Sequence, residues 1–409
     1  PIVQIGSALG SSLGQALNLS EERIRTLVAC GAAGGIAATF NAPIAGVIFG
    51  LEIILGEFTI HGFSSVVIAS VASSVVGQMA FGNQPAFSIP IKYGVTSLWE
   101  YTFYPVLGVL AALVGVVFVR MLYWSEDVFS GWKRTPEWFK PAIGGGILGL
   151  LAFIYPALSG ITWETTPHIF NVGYGVIESM LNNELALKTA LVLLVFKLLA
   201  TSVTLGSGGS GGIFAPALFI GAMLGGSFEL FLQQFFPEVL GPPGAYALLG
   251  MAAVFAASAH APITAILILF ELTGDYRIIL PLMLTVVVAT MLSKYLLSDK
   301  SIYTLKLIRR GIRLRSGWDI DIMNSVKVAD AMTNNPVTVQ KDLYAHSLAD
   351  LFIQTNNHAF PVLDHNNNLT GVVSLTDYRR ALQSKEEIAE DLIVDEIASH
   401  TLVSVYPDE

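Results

Sequence analysis

Apolar residues fill the first 300 positions in blocks broken by glycine, proline and short polar turns. The blocks predict helices of uneven length. A glycine-spaced helix covers 1–17. Ser20, with Glu21 and Glu22 following in a first turn that favours acids, is expected to cap a second helix running to about Thr39. Asn41-Ala42-Pro43 opens a third, about 43–57, and a fourth covers 59–81. Beyond a polar loop with Pro85 and Pro90, helices are expected near 104–124, 138–155, 173–182, 185–204, 214–235, 244–258, 261–273 and 277–297. Some reach the roughly 18–20 residues that cross a bilayer, and others do not. Short, interrupted segments are tolerated at membrane depth only inside protein or beside a water-filled cavity. From 301 onward the pattern turns α/β, with a helix over 343–356, a strand over 360–364 and a turn at Asn366–Asn368. A strand over 369–375 and a helix from Thr376 follow.

The apolar part repeats itself. Residues 31–52 align with 250–271 at an offset of 219, pairing Gly31 with Gly250, Pro43 with Pro262 and Glu52 with Glu271. Residues 1–10 align with 216–225 at an offset of 215, pairing Gly6 with Gly221 and Gly10 with Gly225. Repeats of short helices broken by Gly or Pro mark transporter folds, with the binding site at the repeat interface. The alignment alone leaves open whether the copies are inverted. The tail has its own repeat, 328–339 against 394–405.

Charge sharpens the division. Charged residues make up 13% of the chain, against ~25% in soluble domains. Ten basic and 15 acidic residues fall within 301–409, leaving 28 charges for the first 300 positions. This excludes a wholly soluble enzyme and a disordered chain, and the single cysteine, Cys30, excludes a disulfide scaffold. The net charge of −9 does not suggest nucleic acid. Lys306, Arg309, Arg310, Arg313 and Arg315 follow the last apolar block and mark a cytoplasmic side, so the tail is expected in the cytoplasm. No metal-ligand spacing and no nucleophile–base pair appears, so no enzyme activity is expected.

The densest local signal is Gly206-Ser-Gly-Gly-Ser-Gly-Gly-Ile-Phe-Ala-Pro216, between two long apolar helices. Glycine permits sharp turns and close ligand approach, and Pro216 suits the first turn of the next helix. The N–H groups of Ile213 and Phe214 would then point off a helix N-terminus, which carries about half a positive charge and attracts anions. The plainer alternative is an ordinary flexible helix–helix loop.

This loop resembles the signature of the CLC family of chloride channels and proton–chloride antiporters. PIVQIG at 1–6, FNAPIAGVIFGLE at 40–52, HAPITAILILFELTG at 260–274 and SIYTLKLIRRG at 301–311 resemble its other marks, in order. The tail resembles a pair of CBS modules. The resemblance implies an all-α polytopic membrane protein of inverted-repeat CLC type, followed by an α/β cytoplasmic CBS region. It divides the chain into a transmembrane domain over 1–311, a linker over 312–325, a first CBS module over 326–385 and the start of a second over 386–409. It implies a homodimer in a lipid membrane, by homology a prokaryotic inner membrane, with one chloride pathway per subunit.

The resemblance also assigns residues. Gly212, Ile213 and Phe214, with the Tyr303 hydroxyl, would bind the anion through neutral donors, which hold an ion without trapping it. On its residues alone Tyr303 reads as an interfacial aromatic anchor. The family's gating glutamate and upstream serine loop belong before Pro1, so the chain is read as a fragment. Where the family's antiporters carry a Glu-Glu pair, this chain has Glu52-Ile53, and Ile53 cannot relay protons. That favours passive conduction, with proton-coupled exchange and, in another class, a CBS-regulated cation transporter as the alternatives. Glu57 offers another proton route or is a surface carboxylate.

Glu52 and Glu271 sit in apolar helices, where acids are functional candidates by default, Glu52 as a candidate for a proton pathway. Their equivalent positions favour a shared structural role, accepting hydrogen bonds from neighbouring helix ends. Lys197 either raises the local potential or snorkels to an interface. His260 stands where Asn41 does and reads as a cap. In the tail, Ser374, Thr376 and Asp377 resemble the CBS residues that hold the ribose of an adenine nucleotide. Without a ligand, Thr376 or Asp377 would simply cap the helix. No cofactor is required.

Overall fold

The computed structural model describes residues 2–56, 60–82, 94–95, 97–161, 167–305, 328–355, 357–384, 392–402 and 404–405. Glu57, the basic cluster at 306–315 and the expected linker at 312–325 lie outside them. The chain divides into two units, Pro1–Trp318 and Asp319–Glu409.

The first unit is helical: α1 (Ile2–Ala16), α2 (Glu21–Phe40), α3 (Pro43–Phe49), α4 (Ile60–Phe81), α5 (Glu100–Gly131) and α6 (Lys140–Ser159). It continues with α7 (Tyr174–Leu181), α8 (Leu187–Gly206), α9 (Phe214–Gln233), α10 (Ala245–Ala259), α11 (Pro262–Thr273) and α12 (Ile279–Leu297). Among the described residues, α4, α5, α6, α8, α9 and α12 are long and apolar enough to cross a membrane. The shorter α10 is buried in protein from Tyr246 to Ala259, as a helix too short to span requires. One apolar cluster joins α2, α3, α5 and α8 to α12.

Three details differ from expectation. Helix α5 runs well beyond 104–124: it starts at Glu100, carries Pro105 within its second turn and continues to Gly131. Ser20 occupies the N-cap position of α2, but its side chain makes no capping bond. Helix α3 continues as a π turn over Gly50–Leu55.

The repeat is visible in the packing. Helices α1 and α2 meet at Gly6 and Gly31, where a Cβ on either would strike the other's backbone. Helices α9 and α10 meet in the same way at Gly221 and Gly250. Asn41 ends α2 at φ 52° and His260 ends α10 at φ 58°, both in the left-handed region. Asn and His tolerate it better than most residues.

The second unit is built on a three-stranded sheet of β1 (Val339–Gln340), β2 (Ala359–Leu363) and β3 (Leu369–Ser374). Strand β1 pairs parallel with β2, and β2 antiparallel with β3. Around it lie α13 (Val328–Ala331), α14 (Ala345–Thr355), α15 (Leu375–Ser384) and α16 (Val394–Ile397). Asp364 closes the β2–β3 turn by accepting from the amides of Asn366 and Asn368, both at 2.8 Å. The stretch expected to begin a second module packs on this core. Val394 is fully buried in it, and Ile393 and Ser399 bridge to Tyr344 and Val372.

Candidate anion site

The Gly/Ser loop does what its composition permits. Gly208, at φ 88°, takes the chain off α8, and the amides of Gly208 and Gly209 return to the carbonyls of Leu205 and Thr204. Helix α9 then starts at Phe214, with Pro216 in its first turn. The amides of Ile213 and Phe214 donate to no group among the described residues. The Phe214 ring lies between Phe40, at the end of α2, and Phe255 of α10, at centroid distances of 4.7 and 4.6 Å.

Tyr303 lies on a short segment after α12. The segment is tied down by Ile302 N–H donating to the Ser258 carbonyl (2.9 Å) and by Tyr123 Oη donating to the Ile302 carbonyl (2.7 Å). Its ring meets Phe49 of α3 edge-on at 6.1 Å. The end of α2 and helix α3 therefore touch both candidate anion donors, through Phe40 and through Phe49. Ile213, Phe214 and Tyr303 are half-buried against the same apolar cluster.

The acids make a reciprocal pattern. The Glu271 carboxylate accepts from the amides of Ile44 (2.8 Å) and Ala45 (2.7 Å), at the start of α3. The Glu52 carboxylate accepts from the amides of Ile263 (3.2 Å) and Thr264 (2.8 Å), at the start of α11, and from Thr264 Oγ1 (2.7 Å). Ile44 and Ala45 are the repeat partners of Ile263 and Thr264, so each copy fills the other's helix end. Reciprocal contact of this kind places an approximate two-fold axis between α3 and α11. The geometry matches the hydrogen-bonding role weighed for both acids.

A third acid escaped the sequence reading. Glu229, 2% exposed, accepts from the amide of Gly244 (3.0 and 3.1 Å) and from that of Tyr246 (3.3 Å), closing the start of α10. Its signal was available, since it is an acid within an apolar block. Helices α3, α10 and α11 thus each begin against a protein carboxylate, and among the described residues none stands at the start of α9. Near α9 stands a cation instead. Lys197 is 2% exposed, and its ammonium donates to the carbonyls of Ile169, Phe170 and Asn171. It therefore does not snorkel.

In the tail, Ser374 rather than Thr376 or Asp377 is the capping residue of α15. Ser374 Oγ and its amide donate to Asp377 Oδ2 (2.6 and 3.1 Å), while the Asp377 amide donates to Ser374 Oγ (3.2 Å). This is a reciprocal capping box that satisfies both side chains without a ligand.

Residues 1–294 match the voltage gated chloride channel family, and 328–384 match the CBS domain. The chain is 34% identical over 288 residues to a putative chloride channel protein ClcB-like of Ralstonia nicotianae, covering 69% of this chain and 64% of that one. It is 35% identical over 319 residues to the H(+)/Cl(-) exchange transporter ClcA of Vibrio cholerae, covering 76% and 65%. Its fold superposes on the crystal structure of a slow cyanobacterial Cl−/H+ antiporter with a TM-score of 0.64 and 29% identity, over 75% of this chain and 70% of that one. The chain spans somewhat under two thirds of the length of the relatives it matches. With its apolar spanning helices, its paired repeats and this match over most of its length, the chain is an integral membrane protein that belongs to the voltage gated chloride channel family, followed by a CBS domain.

Proposed function

We propose that this protein moves chloride across a membrane, with the anion resting at the N-terminus of α9. One observation carries this reading. Three helix ends of the membrane unit are filled by Glu271, Glu229 and Glu52, while the amides of Ile213 and Phe214 have no acceptor among the described residues. An unfilled, half-buried helix end is a ready anion site. Tyr303 supplies the further neutral donor. The working unit is a homodimer with a cytoplasmic tail, as the family resemblance implies.

The test is chloride flux from liposomes holding the purified protein. Proline is tolerated at a first helical position, so Phe214→Pro removes one N–H from the site while α9 can still form. Flux is expected to collapse in that variant and to survive in Phe214→Ala, which keeps the N–H. Equal flux in Phe214→Pro and wild type would overturn the reading.

Passive conduction is the form favoured by Ile53, which has no proton to give at the relay position. Proton-coupled exchange is the second reading, favoured by relatives that are themselves exchange transporters. A reversal potential that follows the chloride gradient alone supports the first. A shift under a proton gradient supports the second.

A further inference from the structure

Lys197 breaks a local rule. It is the only buried cation among the described residues, and no carboxylate stands within ion-pair distance of it. Its ammonium is held by the carbonyl oxygens of Ile169 (3.1 Å), Phe170 (3.4 Å) and Asn171 (2.7 Å), and lies 4.9 Å from the centroid of the Phe219 ring. Carbonyl dipoles and a ring face solvate such a charge without cancelling it.

Its place gives the charge a purpose. Phe219 is five residues into α9, about 7.5 Å of helix rise from Phe214, which puts the ammonium on the order of 10 Å from the free amides. A helix N-terminus is itself positive, and the side chains that stabilise it are acids. Helices α3, α10 and α11 follow that rule with Glu271, Glu229 and Glu52. Helix α9 has the opposite arrangement, a buried lysine behind a positive helix end. Two like charges held together are unfavourable in the empty protein and are relieved when an anion sits between them and the pathway. Conflicts between local rule and observed residue concentrate at functional sites.

We propose that Lys197 is a fixed charge that strengthens anion binding at the start of α9, acting through its field and not by contact. The proposal rests on the reading of that helix end as the anion site. Because a field acts on charge and not on size, Lys197 raises the affinity for all monovalent anions by the same factor and leaves selectivity to the amides and Tyr303.

The experiment uses the full chain, purified and reconstituted, with chloride, bromide and nitrate binding followed by calorimetry and flux measured in liposomes. Lys197→Gln keeps a donor for the carbonyls and removes the charge. Unit charges ~10 Å apart at an effective dielectric constant of ~20 couple by roughly tenfold in affinity. Lys197→Gln is therefore expected to bind all three anions about tenfold more weakly, and Lys197→Arg to return within about twofold of wild type. Phe219→Leu keeps the ammonium and removes a ring that partly offsets it, so affinity is expected to hold or rise. Unchanged affinity in Lys197→Gln, equal losses in the Gln and Arg variants, altered ratios among the anions, or a tenfold fall in Phe219→Leu would each overturn the proposal. If Lys197→Gln fails to fold, Lys197→Met, which keeps the chain length and removes the charge, is read against the same tenfold expectation. A wild-type protein that neither binds nor moves chloride would sink the site itself. A wild type that does both, matched by Lys197→Gln, would sink only the role of Lys197.

Discussion

The two copies of the repeat are packed alike and finished differently. In each, a glycine-to-glycine contact draws two helices together, a left-handed Asn or His ends the second, and a proline starts the short third. They part company near the acids. Glu271 receives two amides, while Glu52 receives two amides and the Thr264 hydroxyl, because Ala45 stands where the second copy has Thr264. From Glu52 to the left-handed Gly56 there are four steps, and from Glu271 to the left-handed Gly274 there are three. The first copy carries one more residue before its glycine, and the π turn over Gly50–Leu55 absorbs it. The lesson is that the shared features hold the helices together, while the differences lie where each copy grips the other.

The most damaging way to break the likeness is to add a side chain at the glycine contacts. A Cβ at Gly250 would meet the backbone of Gly221 and Gly225, and neither can yield as a flexible side chain would. Gly250→Val is expected to abolish the monodisperse peak of folded protein on gel filtration, and Gly31→Val to do the same in the first copy. Gly146→Ala on α6, where nothing lies within 4 Å, is expected to be neutral or to stabilise by up to about 1 kcal/mol.

Next come the crossed acids. Removing an acceptor leaves these helix-end amides without one, which costs about 1–3 kcal/mol for each that is shielded from water. Glu271→Ala orphans two amides, and Glu52→Ala orphans two amides and a hydroxyl. Both are expected to destabilise by about 3 kcal/mol or more, Glu52→Ala by the larger amount. Thermal melts in detergent measure the order. A smaller loss for Glu52→Ala would show that counting donors misjudges the two ends.

Much of this architecture was legible in the residues. Proline and glycine punctuate the helices, so α3, α10 and α11 were placed to within a few residues, and the offset of 219 paired their parts. The Gly/Ser loop marked the start of α9. What stayed hidden depends on contacts between distant segments. That Glu52 reaches α11 and Glu271 reaches α3 follows from a symmetry axis, and no local pattern carries one. Glu229 went unnoticed because it falls outside the repeated block, although an acid in an apolar helix always needs a partner. The apolar block near 104–124 marked the part of α5 that could be read from hydropathy, while the helix itself extends through polar positions to Gly131. In the tail, the fault was to place the cap at Thr376 or Asp377, since the capping box runs from Ser374 to a residue three further on.

The smallest effect gives the sharpest comparison. Thr264 is fully buried, and its hydroxyl donates to Glu52 at 2.7 Å, the one bond that Glu271 lacks a counterpart for. Thr264→Val keeps the volume and the β-branch and removes only that donor. A hydrogen bond to a charged group contributes about 1.5–3 kcal/mol, and the remaining amides still hold the carboxylate. The variant is therefore expected to cost about 1.5 kcal/mol, read as a modest fall in melting temperature with helical content unchanged. It should also make the two acids equivalent. In the Thr264→Val background, Glu52→Ala and Glu271→Ala are expected to differ by less than about 0.5 kcal/mol, since each carboxylate then accepts from two amides alone. If Glu52 still costs more, the excess belongs to the π turn that carries it, because the hydroxyl is then gone and the extra residue before Gly56 is the difference that remains beside it.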